Sequence, residues 1–444
     1  MLDINLIRDH PEIVQASQKR RGEDPQSLDS VLDLDGKWRT ALTRINDLRR
    51  QRNETTQEIS RVKKEGGDAS ETIKRMKMVS TDIKDLERTV KELQEERDSA
   101  IMALPNILDA TVPPGETEDD DVPIRFVGTA KVPTIHLEHF HEATGGNMDF
   151  HEVQTSPISH TEITDLPAFA DIPRAAKVAG ARFYYLKNQF VFLDLALQHF
   201  GLAYLRERGY EIIQPPYMLN RRAMEGVTDL SAFEETLYKV EGEDLHLIAT
   251  SEHPLGAMFM DEIFEYDEFP KKFAGISPCF RKEAGAHGKD TKGIFRVHQF
   301  NKIEQFIFCH PEESWNFFDE LIANAEGIYQ ELGIPYRVLD ICAGDMGAIA
   351  SKKLDLECWM PSSGRFREIV SISNALDYQA RRLNIRFRTP EGNIMVHTLN
   401  GTAIATSRTM VAIMENHQED GVIRIPDALR KYTGFDEIDL RCEE

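Results

Sequence analysis

Between Trp38 and Val62 one series of positions advances in alternating steps of three and four: Trp38, Ala41, Ile45, Leu48, Arg52, Thr55, Ile59 and Val62. That spacing returns one stripe of side chains to the same side of an α-helix every seven residues, so it calls for a second helix to cover the stripe. The partner comes next in the chain. After "KKEGGDAS", where Gly66-Gly67 signals a turn, the positions Thr72, Met76, Val79, Ile83, Leu86, Val90, Leu93, Arg97, Ala100 and Leu104 repeat the same steps. Two helices of similar length and a short turn predict an antiparallel coiled-coil hairpin. At ~1.5 Å per residue the arm is about 50 Å long. From Lys37 to Arg97 it carries 16 Lys and Arg against 12 Asp and Glu, in a chain whose formal charge is −22. A solvated coiled coil whose charges only pair with each other explains the residues. The local reversal of sign keeps open a second reading, an arm that lies along a phosphate backbone.

The rest of the chain has a different texture. Pro105, Pro113, Pro114 and Pro123, with the acidic run Glu118 to Asp121, interrupt any helix. They predict a boundary, giving an N-terminal domain over 1–108, a linker over 109–135 and a second domain over 136–444. In that second domain, apolar runs of strand length alternate with helical periodicity. "NQFVFLDLALQHFGLAYLRERGYEIIQPPYM" predicts a long helix, Gly209 and a short strand, while "EIVSIS" and "NIMVHTLN" predict further strands. The expected class is α+β, an antiparallel sheet flanked by helices. Five cysteines, without a CxxC pair, argue against a disulfide framework and against structural zinc. "MLDINLIRDHPE" has no apolar core of a signal peptide, and no run reaches the ~18 apolar residues of a membrane span. The expectation is a cytoplasmic protein.

Two stretches carry chemistry. "CFRKEAGAHGKDTKGIFRVHQFNKIEQF" (279–306) reads as strand, loop and strand. Alternation along the first strand sets Arg281 and Glu283 on one face, and along the second Arg296, Phe300 and Glu304. Phe295, Val297, Ile303 and Ile307 form the opposite, core face. Arginine offers a fork for phosphate, an aromatic ring a surface for a base, and a carboxylate a partner for an ammonium or hydroxyl group. Gly285, Gly288, Lys289, Lys292 and Gly293 suit a loop that approaches phosphate closely. A two-faced hairpin whose Arg and Glu merely pair explains the pattern equally well. The second stretch, "HTLNGTAIATSRTMVAIMENHQ", reads as a strand, a turn at Gly401 and a helix starting near Ala403. Arg408 lies early in this apolar helix, where an unpaired charge is costly and a bound phosphate would relieve it.

Helix and strand before Pro215-Pro216, then "FRKE" with "RVHQF", then Gly-Thr and Arg408, resemble the three signature motifs of class II aminoacyl-tRNA synthetases. "GARFYYL", "TSEHPL", "EAGAHGKDTKG", "RVHQFNKIEQF", "REIVSISN" and "LNGTAIATSR" resemble, more narrowly, the seryl-tRNA synthetase family, across essentially the whole chain and with the arm included. The resemblance implies a class II catalytic domain that activates L-serine with ATP and transfers it to tRNA(Ser), and to tRNA(Sec) where present. It implies catalytic roles for Arg281, Arg408 and Glu368. ATP would be bound by Arg281, Lys282, Glu283, Arg296, Val297, Phe300, Glu368, Ile369, Val370, Ser371 and Arg408. Serine would be bound by Thr250, Ser251, Glu252, Glu304 and Thr402, and Mg²⁺ by Glu368 and Ser371. Thr402 and Glu304 match the zinc-free branch, so no zinc is expected. The arm would hold tRNA, and a homodimer is implied. Alternatives are a catalytically inactive RNA-binding relative and an enzyme that loads serine onto a carrier protein. Two departures stand out: the stretch 141–180 is longer than the family usually carries, and "YYLKNQFVFL" lacks the usual Gly-Ala after its lysine.

Overall fold

The computed structural model describes residues 1–228, 236–283, 290 and 292–441. The chain divides into two compact units, Met1–Ile107 and Leu108–Glu444. Among the described residues, no helix is long and apolar enough to cross a membrane.

The first unit is helical. Two short helices, Ile4–Asp9 and Pro11–Arg21, precede helix α1 (Gln26–Lys64), which turns back into α2 (Ser70–Ala103). The expected hairpin is present, with Ile45, Leu48 and Ile83 buried between the helices and Leu42, Val79 and Leu86 packed beside them. Gly66 adopts φ +75°, and a Cβ on Gly67 would sit 2.9 Å from Val62 Cγ1, so the turn requires this pair. Helix α1 starts well before Trp38 because the stripe continues upstream through Leu28, Val31 and Asp35, all buried. A carboxylate on an inward position hides the repeat from a hydrophobic pattern. Its partners explain its burial: Arg8 reaches Asp35 at 2.6 Å and Arg97 at 3.5 Å, and the Arg97 guanidinium lies 4.2 Å from the Trp38 ring centre.

The second unit is built on an eight-stranded sheet: β1 (Val122–Val127), β2 (Glu211–Ile213), β3 (Lys271–Phe280), β4 (Gln299–Cys309), β5 (Tyr336–Asp340), β6 (Lys352–Met360), β7 (Arg365–Leu376) and β8 (His397–Ala405). Their spatial order is β1-β5-β6-β7-β8-β4-β3-β2. Every pair is antiparallel except β2 with β3. Helices α3 (Gln189–Arg206), α4 (Ser314–Glu331) and α5 (Thr406–Asn416) pack on one face, where Ile303, Ile307, Val370, Ile372 and Leu399 supply the sheet's share of the core. On the other face Phe273, Phe306 and Phe308 pack against segments such as Met224–Val227 and Ala380–Phe387.

Several expectations change. The stretch 109–135 contains β1, an edge strand of the central sheet, and Thr129–Pro133, which pairs in parallel with Asp149–Val153. "NIMVHTLN" is two strands in different sheets, Gly392–Met395 and β8, separated by buried Val396. Gly401 is not a turn but lies inside β8, and the helix begins at Thr406. A Cβ at Gly401 would stand 3.1 Å from Ile372 Cγ1, so this glycine serves a close approach between strands. The hairpin strands are also shorter than read: β3 ends at Phe280 and β4 begins at Gln299, leaving Arg281, Glu283 and Arg296 outside both. Backbone bonding persists there, from Arg281 N to His298 O at 2.9 Å, but Glu283 takes φ +50°, so strand alternation does not orient these side chains. Gly285, Gly288 and Lys289 lie outside the described residues. The stretch 141–180 holds Asp149–Val153 and the helices His160–Asp165 and Ile172–Ala179. The first of these helices docks on α5: Glu415 accepts from His160 and Ser362.

Candidate active site

A cavity of about 480 Å³ opens along the sheet, lined by residues of β4, β7 and β8 and by the start of α5. Of the residues expected from sequence, Thr250, Glu252, Arg281, Glu283, Phe300, Glu304, Glu368, Ile369, Ser371, Thr402 and Arg408 line it. Ser251, Lys282, Arg296, Val297 and Val370 do not. Ser251 is fully buried and donates from Oγ to Gly275 O at 3.2 Å, so it anchors the turn that presents Thr250 and Glu252. Val297 and Val370 belong to the helix-covered core. Lys282 is exposed, its ammonium 5.7 Å from the Tyr238 ring centre. Arg296 stands behind Glu283, donating to its carboxylate at 2.9 Å.

Bulges decide which side chains face the cavity. Across β6 and β7 the register shifts so that Leu356 faces Val370 but Glu357 faces Glu368. The extra residue, Ile369, breaks strict alternation and lets Glu368, Ile369, Ser371 and Ser373 share the cavity wall while Val370 and Ile372 point into the core. A second bulge, in β8 after Thr402, follows the position at which Thr402 stands opposite Glu304.

The cavity has two chemically distinct ends. At one, Arg281 donates from Nε to Ala249 O at 3.2 Å and its guanidinium lies 5.3 Å from the Phe300 ring centre. Arg408, the third residue of α5, donates to the Glu368 carbonyl at 3.0 Å and to its carboxylate at 2.8 Å. Arg408 is therefore paired here, unlike the lone charge that the sequence suggested. Burial alone would raise the Glu368 carboxyl, but Arg408, Lys353 and Arg281 outweigh it and hold that carboxyl below the usual range. Asp355 accepts from Lys353 at 2.9 Å, and burial raises its carboxyl. This end combines cations with an ionised carboxylate and an open aromatic face. Glu368 and Ser371 are hard oxygen donors on one wall, a set that suits Mg²⁺ shared with phosphate oxygens.

The other end is lined by carboxyls and hydroxyls. Thr250 Oγ1 donates to Glu304 Oε2 at 3.4 Å and accepts from Glu252 N at 3.1 Å. Glu252 accepts from Asn400 at 3.1 Å and Gln379 at 3.2 Å. Burial, with Glu304 nearby, pushes its carboxyl up to about 7. His253 also lines the cavity; burial, then Lys302 and Arg281, hold its imidazole down to about 3, so it is neutral. Lys302 pairs with Glu304. The sequence reading missed Lys302, Lys353, His253 and Asn400. For Lys302 the signal was present, since it alternates with Phe300 and Glu304 along one strand face.

Residues 236–417 match the family model of the tRNA synthetase class II core domain (G, H, P, S and T), and residues 1–108 that of the seryl-tRNA synthetase N-terminal domain. A serine–tRNA ligase of Thermoplasma acidophilum is 49% identical over 440 residues, 99% of this chain and 100% of that protein. The crystal structure of the seryl-tRNA synthetase from Pyrococcus horikoshii complexed with ATP superposes with a TM-score of 0.95 at 51% identity, covering 99% of each chain. The cytoplasmic serine–tRNA ligase of Naegleria fowleri in complex with AMP gives 0.86 at 37% identity, over 100% of this chain and 99% of that one.

Proposed function

The chain belongs to the seryl-tRNA synthetase family and is an aminoacyl-tRNA ligase, and from that premise we propose how its cavity makes seryl-tRNA. ATP occupies the arginine end and serine the carboxyl end. The observation that carries this reading is the convergence of Arg281, Phe300, Glu304, Thr402 and Arg408, from the segment after β3, two strands and a helix, on one cavity.

The first step joins two anions. A carboxylate oxygen of serine attacks the α-phosphorus of ATP, the new O–P bond forms in line with the bond to the β-phosphate, and pyrophosphate leaves with that electron pair. The residues need not supply a nucleophile; they must neutralise charge and align the partners. Arg281 is assigned to the α-phosphate and Arg408 to the γ-phosphate, while Phe300 stacks on adenine. Glu283 bonds the adenine side, with Arg296 fixing its carboxylate. Mg²⁺ would be held by Glu368 and Ser371 and would supply further positive charge at the phosphates. In the second step a hydroxyl of the terminal tRNA ribose displaces AMP from the seryl group. Serine is recognised through its hydroxyl by Glu304 and Thr402 and through its ammonium by Glu252. A site that must satisfy buried polar groups this way rejects an analogue lacking the hydroxyl by about 10⁴–10⁵.

The N-terminal unit, with its locally positive arm, is assigned to tRNA(Ser), and to tRNA(Sec) where a cell has one. A homodimer is supported by an apolar strip on α3, where Val191, Phe192 and Leu195 are exposed, with Ile212 and Met218 nearby in sequence also exposed. The test of the whole reading is ATP–pyrophosphate exchange with each of the twenty amino acids. Exchange should depend on serine; its absence with serine overturns the reading.

A further inference from the structure

The hairpin pattern places Phe295 on a core face, and its side chain is indeed buried, at 3% exposure, in the helix-covered core. Its ring nevertheless meets two charged groups. The Arg367 guanidinium lies 4.1 Å from the ring centre and that of Arg408 5.2 Å. Both fall within the ~6 Å over which a cation is drawn to an aromatic face. Arg408 lines the cavity, whereas Phe295 and Arg367 do not. The ring therefore stands behind the arginine assigned above to the γ-phosphate.

Two like charges converge on one ring only because each has its own counter-charge. Arg367, on β7, donates to Asp290 from Nη1 at 3.0 Å and also from Nη2. Arg408 donates from Nη1 to the Glu368 carbonyl and carboxylate, and among the described residues its side chain makes no other hydrogen bond. The ring itself is seated by the stretch 141–180. The helix His160–Asp165 brings the His160 ring to 6.4 Å from that of Phe295. A Cβ on Gly293, two residues before Phe295, would stand 2.6 Å from His160 Cδ2, so the chain passes close against this helix. His160 Nδ1 in turn lies 3.0 Å from Glu415 Oε1 on α5. The helix that carries Arg408 thus also anchors the residue beside its supporting ring.

We propose that Phe295 is a positioning residue for ATP, which holds the Arg408 guanidinium in place for the terminal phosphate. The proposal rests on the assignment of Arg408 to that phosphate. The Glu368 carboxylate is also assigned to Mg²⁺, so its bond to Arg408 is the contact that loading the site weakens. The ring competes with neither metal nor phosphate. A guanidinium over an aromatic face keeps its N–H groups, which lie at its edge, for an anion. Plain core packing predicts only stability, whereas this role predicts sensitivity to the charge distribution of the ring at constant shape.

The experiment measures binding of ATP with Mg²⁺, and of AMP, by calorimetry on the full chain. The altered chains are Phe295→Leu and three that carry mono-, di- or trifluorinated phenylalanine at position 295, with melting temperature as a control. Fluorine withdraws charge from the ring face and leaves its shape nearly unchanged. ATP affinity should fall stepwise with fluorination, by ~3- to 10-fold for the trifluorinated ring, and in the same direction for Phe295→Leu. AMP affinity, which does not involve the terminal phosphate, should stay at the parental value, as should the melting temperature of the fluorinated chains. ATP affinity that does not follow fluorination overturns the proposal, even if Phe295→Leu binds more weakly, because the ring then acts by packing alone. An equal loss for ATP and AMP overturns it too. Arg408→Met and Arg408→Lys separate the two levels. If Arg408→Met weakens ATP no more than AMP, the phosphate assignment itself is wrong; if both variants weaken ATP selectively and the fluorinated rings do not, only the role of Phe295 is.

Discussion

Thr402 on β8 stands directly opposite Glu304 on β4, and the bulge that follows puts Ile404, not Ala403, opposite Ile303. The ladder therefore brings one hydroxyl and one carboxylate together at a single level and then breaks step. Replacing Thr402 by valine keeps the β-branched shape and removes the hydroxyl. The expected outcome is a serine KM raised by ~10-fold or more, with ATP KM little changed and discrimination against alanine reduced. Exchange kinetics with serine and alanine side by side check it.

Among the described residues, the Arg281 side chain makes one hydrogen bond, to the Ala249 carbonyl, and its guanidinium lies 5.3 Å from the Phe300 ring centre. Its removal should leave the fold intact and strike the reaction, since a preorganised donor to a charged transition state is worth ~10²–10³ in rate. Arg281→Ala should therefore lose exchange by at least that factor while its thermal unfolding matches the parent. Near-normal exchange would remove the phosphate role.

How much of this was legible before the structure depended on whether the local rule held. Glu304, Phe300 and Ile303 lie inside β4, where alternation is sound, and their facing was read correctly. Arg281 and Glu283 reach the cavity although the strand that was to orient them ends at Phe280. Val370 was expected beside ATP but is turned inward by the bulge at Ile369, which nothing in "EIVS" announces. Gly401 carried the ordinary turn signal and instead marks a close contact with Ile372. Lys353 was invisible because its cavity place depends on β6 lying beside β7, a long-range pairing without a local pattern. The coiled coil was legible even through its polar positions Arg52, Thr55 and Arg97, because apolar positions flank them, and the reading stopped one step short of the buried Asp35.

The arm can be shortened without disturbing its root. Excising the segment between Leu42 and Leu93 and closing it with a short Gly-Ser turn leaves Asp35, Trp38 and Arg97 in place. Serine-dependent exchange, which needs only the cavity, should persist at the parental rate. Charging of tRNA(Ser) should fall by orders of magnitude, because phosphate contacts dominate such affinities. Undiminished charging would make the arm a structural element alone.

Phe192 and Leu195 are 56% and 54% exposed on α3, a large apolar face for an isolated chain. If a second copy covers it, Phe192→Glu with Leu195→Glu should convert a dimer to a monomer in sedimentation velocity at micromolar concentration, with serine activation reduced. A parental protein that sediments as a monomer would refute the homodimer.

Asp35 tests the root of the arm through pH. Its side chain is 1% exposed, with Arg8 at 2.6 Å and Arg97 at 3.5 Å. The hydrogen bond from Arg8 outweighs burial and holds the carboxyl below its ordinary 3.8. A carboxyl depressed by folding contributes stability that is complete above its unfolded pKa and lost as pH falls through the folded one. The contribution should thus be whole at pH 5 and above and fade only below about pH 4. Removing Asp35 takes this partner from Arg8 and Arg97, of which Arg97 keeps Asp98 at 2.6 Å, so the cost falls at the low end for a broken buried pair, roughly 3 kcal/mol. Asp35→Ala should lower the midpoint of the helical unfolding transition at pH 7, followed by circular dichroism, and the gap from the parent should narrow as the pH is taken below 4. A gap that stays constant down to pH 2 would mean that Asp35 holds the arm by packing and not by charge.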